Sequence, residues 1–172
     1  MEKGLLPEGL QEGKRYVKDY LIKVGKEDEW TRLQGYVYGT KLQDAELYVG
    51  VKSFLKFCRQ YGVDCFIISH KTKHPYSGEK YDLHRAASDW IQHQGFNIEY
   101  FFELTKEDKI ERINTLNCTH FIDDLPEFLA LSGFDEKIEK VLFDPLKQYE
   151  KSDYGYKYAN SWDELLELIK RG

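Results

Sequence analysis

Four side chains in this sequence suit phosphoryl chemistry, and they arrive in order along the chain. Ser69 follows the apolar run Phe66-Ile67-Ile68, Lys106 follows a helix-capping Thr105, and Asp123-Asp124 follow Phe121-Ile122. A hydroxyl with nearby backbone N–H groups can hold phosphate oxygens. A lysine neutralises charge on a phosphoryl group in transfer, where electrostatic stabilisation supplies most of the catalysis. Two adjacent carboxylates offer the hard oxygen ligands that Mg²⁺ prefers, with water and substrate completing its octahedron. Each residue also has a plain structural use. Serine starts loops, surface lysines are solvated, and an Asp before Pro126 can cap a helix. The spacing on successive strand ends is what favours chemistry over structure.

Elements must exist to bring these groups together. Residues 1–48 read as helices without strands, with Tyr16, Val17, Tyr20, Leu21 and Val24 on one apolar face ended by Gly25, and Trp30, Leu33 and Val37 on another. From residue 49 the pattern alternates. Val51, Phe54, Leu55 and Cys58 recur at helical spacing, ended by Gly62. Residues 63–68, 98–102, 119–122 and 141–143 read as short, mostly apolar strands of the kind buried in parallel sheets. Between them lie a loop over 70–80 and helical faces carrying Leu83, Ala87 and Ile91, then Ile110 and Ile113, and last Trp162, Leu165 and Ile169. This order predicts an α/β fold: a parallel sheet with helices on both faces, over residues 49–172, preceded by a helical segment over 1–48. Ligands in such sheets bind beyond the carboxyl ends of the strands. That edge gathers Ser69, His70, Lys71, Lys106, Lys109, Asp123 and Asp124, with Asp144 after the last strand.

Composition narrows the function classes. The chain has 172 residues, 41% hydrophobic and 32% charged, with a net charge of −5. Its acidic and basic residues are interspersed, so the basic stripe of a nucleic-acid binder is missing. No window is apolar enough for a membrane span, and residues 1–20 hold no signal-type apolar core, so the expected compartment is the cytoplasm. Cys58, Cys65 and Cys118 are an odd set with no CxxC spacing, which gives zinc no support and suits small buried apolar residues.

With those motifs in place, residues 49–172 resemble the haloacid-dehalogenase-like (HAD-like) hydrolase superfamily. Phe66-Ile67-Ile68-Ser69 resembles its second motif, Leu104-Thr105-Lys106 its third, and Phe121-Ile122-Asp123-Asp124 its fourth. The resemblance implies a Rossmann-like core over residues 49–172 with the helical residues 1–48 as a cap-like segment, and Mg²⁺-dependent hydrolysis of a small phosphorylated substrate. Asp123 and Asp124 would hold the metal, and Ser69, with Lys106, would hold phosphate. Lys106 and Asp124 would be the catalytic members. His70 and Lys71 would meet the substrate. Lys109 is the second candidate for the motif lysine; Lys106 is preferred because Ile110 and Ile113 fall at +4 and +7 and can pack behind it. A receiver-type phosphorylation site has the acidic pair first and the lysine last, the reverse of this order.

One departure is large. The superfamily's first motif, DxDxT, carries the aspartate nucleophile, and it occurs nowhere in this sequence. The implied strand order is 5-4-1-2-3, so the four strands found are the second to fifth and the central one is missing. Pairs 5-4 and 2-3 would then face an empty slot, whose buried unpaired groups cost about 1–3 kcal/mol each. The favoured expectation is a strand supplied by an upstream in-frame extension; the others are a strand from another chain, or a sheet that closes up without it. The alternative is a non-catalytic phosphate- or nucleotide-binding or interaction module.

Overall fold

The computed structural model describes residues 5–11, 13–150 and 155–170. It is a mixed α/β protein with seven α-helices and five strands among these residues. The chain separates into two compact units. One comprises residues Met1–Ala45 with Thr72–Phe96, and the other residues Glu46–Lys71 with Asn97–Gly172. The first thus gathers the N-terminal helices together with the segment that the sequence pattern assigned to the second.

In the first unit, α1 (Lys14–Lys23) buries Leu21 completely and α2 (Glu27–Tyr36) follows it. The helical path continues through a wider turn, Val37–Lys41, and a tighter one, Leu42–Asp44, before leaving at Ala45. α4 (Leu83–His93) is capped by Asp82, whose carboxylate accepts the N–H of Arg85. It buries Leu83, Ala87 and Ile91, at i, i+4 and i+8, as its apolar spacing requires. Gln43 donates to the carbonyl of Ala86 and the Trp90 indole N–H to that of Ala45, tying the end of the α2 path to α4. Gly39 permits this packing, because a Cβ there would collide with the Tyr81 ring.

In the second unit, α3 (Val51–Gln60) buries Val51, Phe54 and Cys58. It stops in a left-handed turn at Gly62, φ 68°, with the N–H of Val63 bonded to the carbonyl of Cys58 at 2.8 Å. The chain then enters β1 (Phe66–His70), which pairs in parallel with β2 (Glu99–Glu103), Ser69 opposite Phe102. α5 (Lys106–Thr115) leads to β3 (His120–Asp123), and the short α6 (Pro126–Leu129) to β4 (Glu139–Phe143). β5 (Lys157–Ala159) joins the far side of β4, and α7 (Trp162–Ile169) closes the fold. The strands form two parallel sheets, β1-β2 and β3-β4-β5, rather than one. β5 was not legible in the sequence pattern.

The two faces of the sheets carry separate cores. On one, Phe121 and Leu142 pack with Ile110, Ile113, Phe128, Leu129 and Ile138. On the other, Val141 and Ala159 pack with Phe54, Cys58 and Leu165. Successive residues of β4 face opposite ways, and Val141 and Leu142 are both fully buried, as expected of a strand covered on both faces. Among the described residues no helix is long and apolar enough to cross a membrane.

Candidate functional site

The carboxyl ends of the strands in the second unit are built by three local devices. On the first sheet, the Lys71 N–H donates to the carbonyl of Glu103 at 2.9 Å, one residue past β1. The His70 ring Nε2 stands 3.0 Å from the carbonyl of Leu104, so a proton on Nε2 is donated across the same strand pair. Ser69 is therefore the penultimate residue of a paired strand, half-buried, and His70 is exposed.

The second device starts α5. The Thr105 hydroxyl accepts the N–H of Asp108 at 3.0 Å, making Thr105 the cap and Lys106 the first helical residue. Lys106 is exposed there, while Lys109, one turn further in, is only 7% exposed. Glu103 at the end of β2 holds the guanidinium of Arg112 at 2.8 Å, which fixes the helix against the strand that feeds it.

The third device is the end of β3. Lys109 Nζ donates to Asp123 Oδ2 at 2.7 Å, and both side chains are 9% exposed. The ammonium also lies 4.2 Å from the centre of the Phe128 ring and 5.1 Å from that of Phe121. The other carboxylate oxygen of Asp123 accepts the N–H of Leu125 at 3.0 Å. Asp123 thus has both oxygens engaged, one by a cation and one by the backbone that leads into α6. Asp124 is exposed beside it.

Asp144, at the end of β4, is 5% exposed and has a different task. Its two oxygens accept the N–H groups of Gln148 and Tyr149, each at 2.9 Å, folding residues 144–149 into a fixed loop. Lys147 in that loop has φ 52°.

Among the candidates, Lys109 and Asp123 are in direct contact. Ser69 and Asp124 lie at the ends of β1 and β3, and Lys106 stands in solvent at the start of α5. In the first unit, the loop after Lys71 is internally bonded, the Thr72 hydroxyl donating to the carbonyl of His74 at 2.8 Å. Arg112 and Glu103, which brace the site, had no motif to announce them; a charge at i and i+9 across a strand–helix turn leaves no periodic signature.

Magnesium fits the donor type at Asp123 and Asp124, since it takes one or two carboxylates and keeps several waters. Asp123 would have to exchange Lys109 for the metal. Among the described residues no group of three or more His, Cys, Asp and Glu side chains gathers as a ready metal cage. The comparisons with known proteins return nothing: no family model, no curated protein and no solved structure matches this chain.

Proposed function

We propose that the carboxyl edge of the second unit is a phosphate- and Mg²⁺-binding site of the HAD-like phosphohydrolase type, which in this chain, lacking the aspartate nucleophile, binds a small phosphorylated substrate without hydrolysing it. The observation that carries this reading is the buried Lys109–Asp123 pair, 2.7 Å apart at the end of β3. An ammonium held at a strand end by a carboxylate is poised to exchange partners. Phosphate would draw Lys109 from Asp123, and Mg²⁺ would replace Lys109 on Asp123. Lys109, not Lys106, is then the phosphate-holding lysine. Ser69 supplies a hydroxyl from β1, Asp124 the second metal oxygen, and His70, Lys71 and Lys106 the outer contacts to the substrate.

The pairing of strands supports the same reading. The superfamily order without its first strand leaves the second strand on the third and the fourth on the fifth. β1 on β2 and β3 on β4 are those two pairs, with β5 beyond them. The sequence holds no DxDxT, so the carboxylate that would form an aspartyl-phosphate is missing, and this route gives the chain binding without turnover.

The experiment is a titration of the ¹⁵N-labelled chain with MgCl₂, then with inorganic phosphate. Amides of 121–127 should move with Mg²⁺, and those near Ser69 and Lys109 with phosphate. Asp123→Asn together with Asp124→Asn should abolish the Mg²⁺ response. Lys109→Ala should abolish the phosphate response while Lys106→Ala leaves most of it. Silence at 121–127 while other amides respond rejects the metal role. A measurable Mg²⁺-dependent hydrolysis of p-nitrophenyl phosphate, lost in Lys109→Ala, would reject the non-catalytic form of the proposal.

A further inference from the structure

The turn between α3 and β1 brings two cysteines together. Cys58 lies in the last turn of α3 and is 1% exposed, and Cys65 immediately precedes β1, half-buried. The helix closes as one that ends on a left-handed glycine should. The Gly62 N–H bonds to the carbonyl of Arg59 at 3.4 Å and the Val63 N–H to that of Cys58 at 2.8 Å. The second bond returns the chain to the level of Cys58. Two residues on, the Cys65 Sγ lies 3.8 Å from the carbonyl of Val63, and the thiols of Cys65 and Cys58 are in hydrogen-bond contact with each other. Cys58 belongs to the core with Val141, Ala159 and Leu165, and Cys65 packs against that core. Cys118 packs against the core on the opposite face, so it takes no part in this contact.

The phosphate reading uses neither sulfur. A disulfide needs two sulfurs close together, on side chains directed at each other, and the helix-ending turn supplies both. We propose that Cys58 and Cys65 are a redox pair whose disulfide fastens the start of β1 to the end of α3. The oxidant is a low-molecular-weight disulfide. The thiolate of Cys65, the more exposed of the two, attacks one sulfur of the oxidant, and the small thiolate that leaves takes up the proton Cys65 gave away. The Cys58 thiolate then attacks Cys65 Sγ from inside the core, where no access to solvent is needed. It expels the second small thiolate, which takes up the proton of Cys58. One S–S bond breaks in the oxidant, one forms in the chain, and two electrons and two protons end on two small thiols. An excess of small thiol reverses the exchange, so the bond reports the redox state around it. Burial raises both thiols above their ordinary range, so the exchange is slow in the closed chain and proceeds through openings of the turn. The pair needs neither Lys109 nor Asp123, so it and the phosphate reading can fail separately.

The test equilibrates the full chain with mixtures of reduced and oxidised glutathione, quenches with acid, and reads intact mass and a peptide map. The folded chain should lose two hydrogens, with Cys58 linked to Cys65 and Cys118 free. It should do so at a proportion of oxidised glutathione at least about tenfold lower than the same chain in urea, because the fold already holds the sulfurs together. In Cys58→Ala a glutathione adduct should remain on Cys65, and in Cys65→Ser no adduct should form on Cys58. In the oxidised chain the Ile67 amide should exchange at least about fivefold more slowly than in the reduced chain. A disulfide through Cys118, or one between chains, overturns the proposal. Closure that needs as much oxidised glutathione in the folded chain as in urea overturns it too, since the fold would not then favour the bond. An Ile67 amide that exchanges at the same rate in both forms overturns the fastening of β1.

Discussion

Lys109 and Asp123 are each nearly removed from water, so neither can lose the other cheaply. Breaking a buried pair by deleting one partner typically costs about 3–5 kcal/mol, because the remaining charge stays buried. Lys109→Met keeps the bulk over Phe121 and Phe128 but strands the carboxylate. It should lower unfolding stability by about 3 kcal/mol, read by urea denaturation. Lys106→Ala, exposed in the first turn, should change stability by less than about 0.5 kcal/mol. Equal effects would mean that the 2.7 Å contact is not maintained in solution. The sequence names both lysines, and the spacing of Ile110 and Ile113 ranks Lys106 first, whereas the structure buries Lys109 and leaves Lys106 exposed. Lys106 shares its helical face with Ile110 and Ile113, and Lys109 shares one with Ile113. The cap decides: with Thr105 outside the helix, Lys106 is its first residue and stays at the mouth. Lys109 is the fourth, where a helix first turns a side chain inward against the core. The cysteines carry a second residue-scale prediction. Burial pushes the Cys65 thiol up to about 12 and raises Cys58 and Cys118 for the same reason. The thiolate is the reactive form, so iodoacetamide at pH 8 should leave Cys58 and Cys65 unmodified in the folded chain and label them once urea unfolds it. These thiols ionise near 9 when unfolded and higher when folded, so their contribution to stability is complete below pH 9 and falls as pH rises toward 12. Rapid labelling of the folded chain at pH 8 would contradict the burial.

At the scale of elements, the helix ends are what deliver strands to the right place. α5 ends in a left-handed residue like α3, but uses Asn117, φ 52°, where α3 uses Gly62. The Asn117 N–H bonds to the carbonyl of Asn114 at 2.9 Å and the Cys118 N–H to that of Ile113 at 3.3 Å, the same two-bond closure. Asparagine tolerates this conformation better than most residues but not as well as glycine. Asn117→Gly should therefore stabilise by about 0.5 kcal/mol and Asn117→Val destabilise by more than about 1 kcal/mol. Reversal of that order in thermal melts would show that the turn is not left-handed. Thr105→Ala removes the cap of α5 and should cost about 1 kcal/mol. The helices were largely legible because apolar spacing, caps and terminating glycines agree. β1 was legible in kind but not in place. Residues 63–65 look like strand, yet the Val63 N–H closes the end of α3, so pairing starts at Phe66 and runs on through His70. β5 was missed because it has three residues and only Ala159 is buried. Tyr-rich text around a lone small residue reads as loop, and its strand state comes from pairing with β4, which no local pattern announces.

For the whole molecule, stability should be uneven in a way the two sheets dictate. β4 lies between β3 and β5, with Val141 and Leu142 fully buried between two cores. β1 and β2 form a sheet of two strands, and none of their residues is fully buried. A two-stranded sheet is marginal by itself and depends on what packs against it, here chiefly α5. The connection between β1 and β2 also runs through residues 72–96, which fold with the first unit, so their pairing closes a long loop. The β1-β2 sheet should therefore open before the β3-β4-β5 sheet. Native-state hydrogen exchange in rising urea reads this directly. Amides of Ile67 and Phe101 should exchange through an opening at least about 1 kcal/mol below global unfolding, with a smaller dependence on urea. Amides of Val141 and Leu142 should follow the global transition. If all four merge on one line at every urea concentration, the two sheets unfold as one. The support from α5 would then be as strong as a ladder. If the order reverses, β4 is not the centre of the fold that its burial implies.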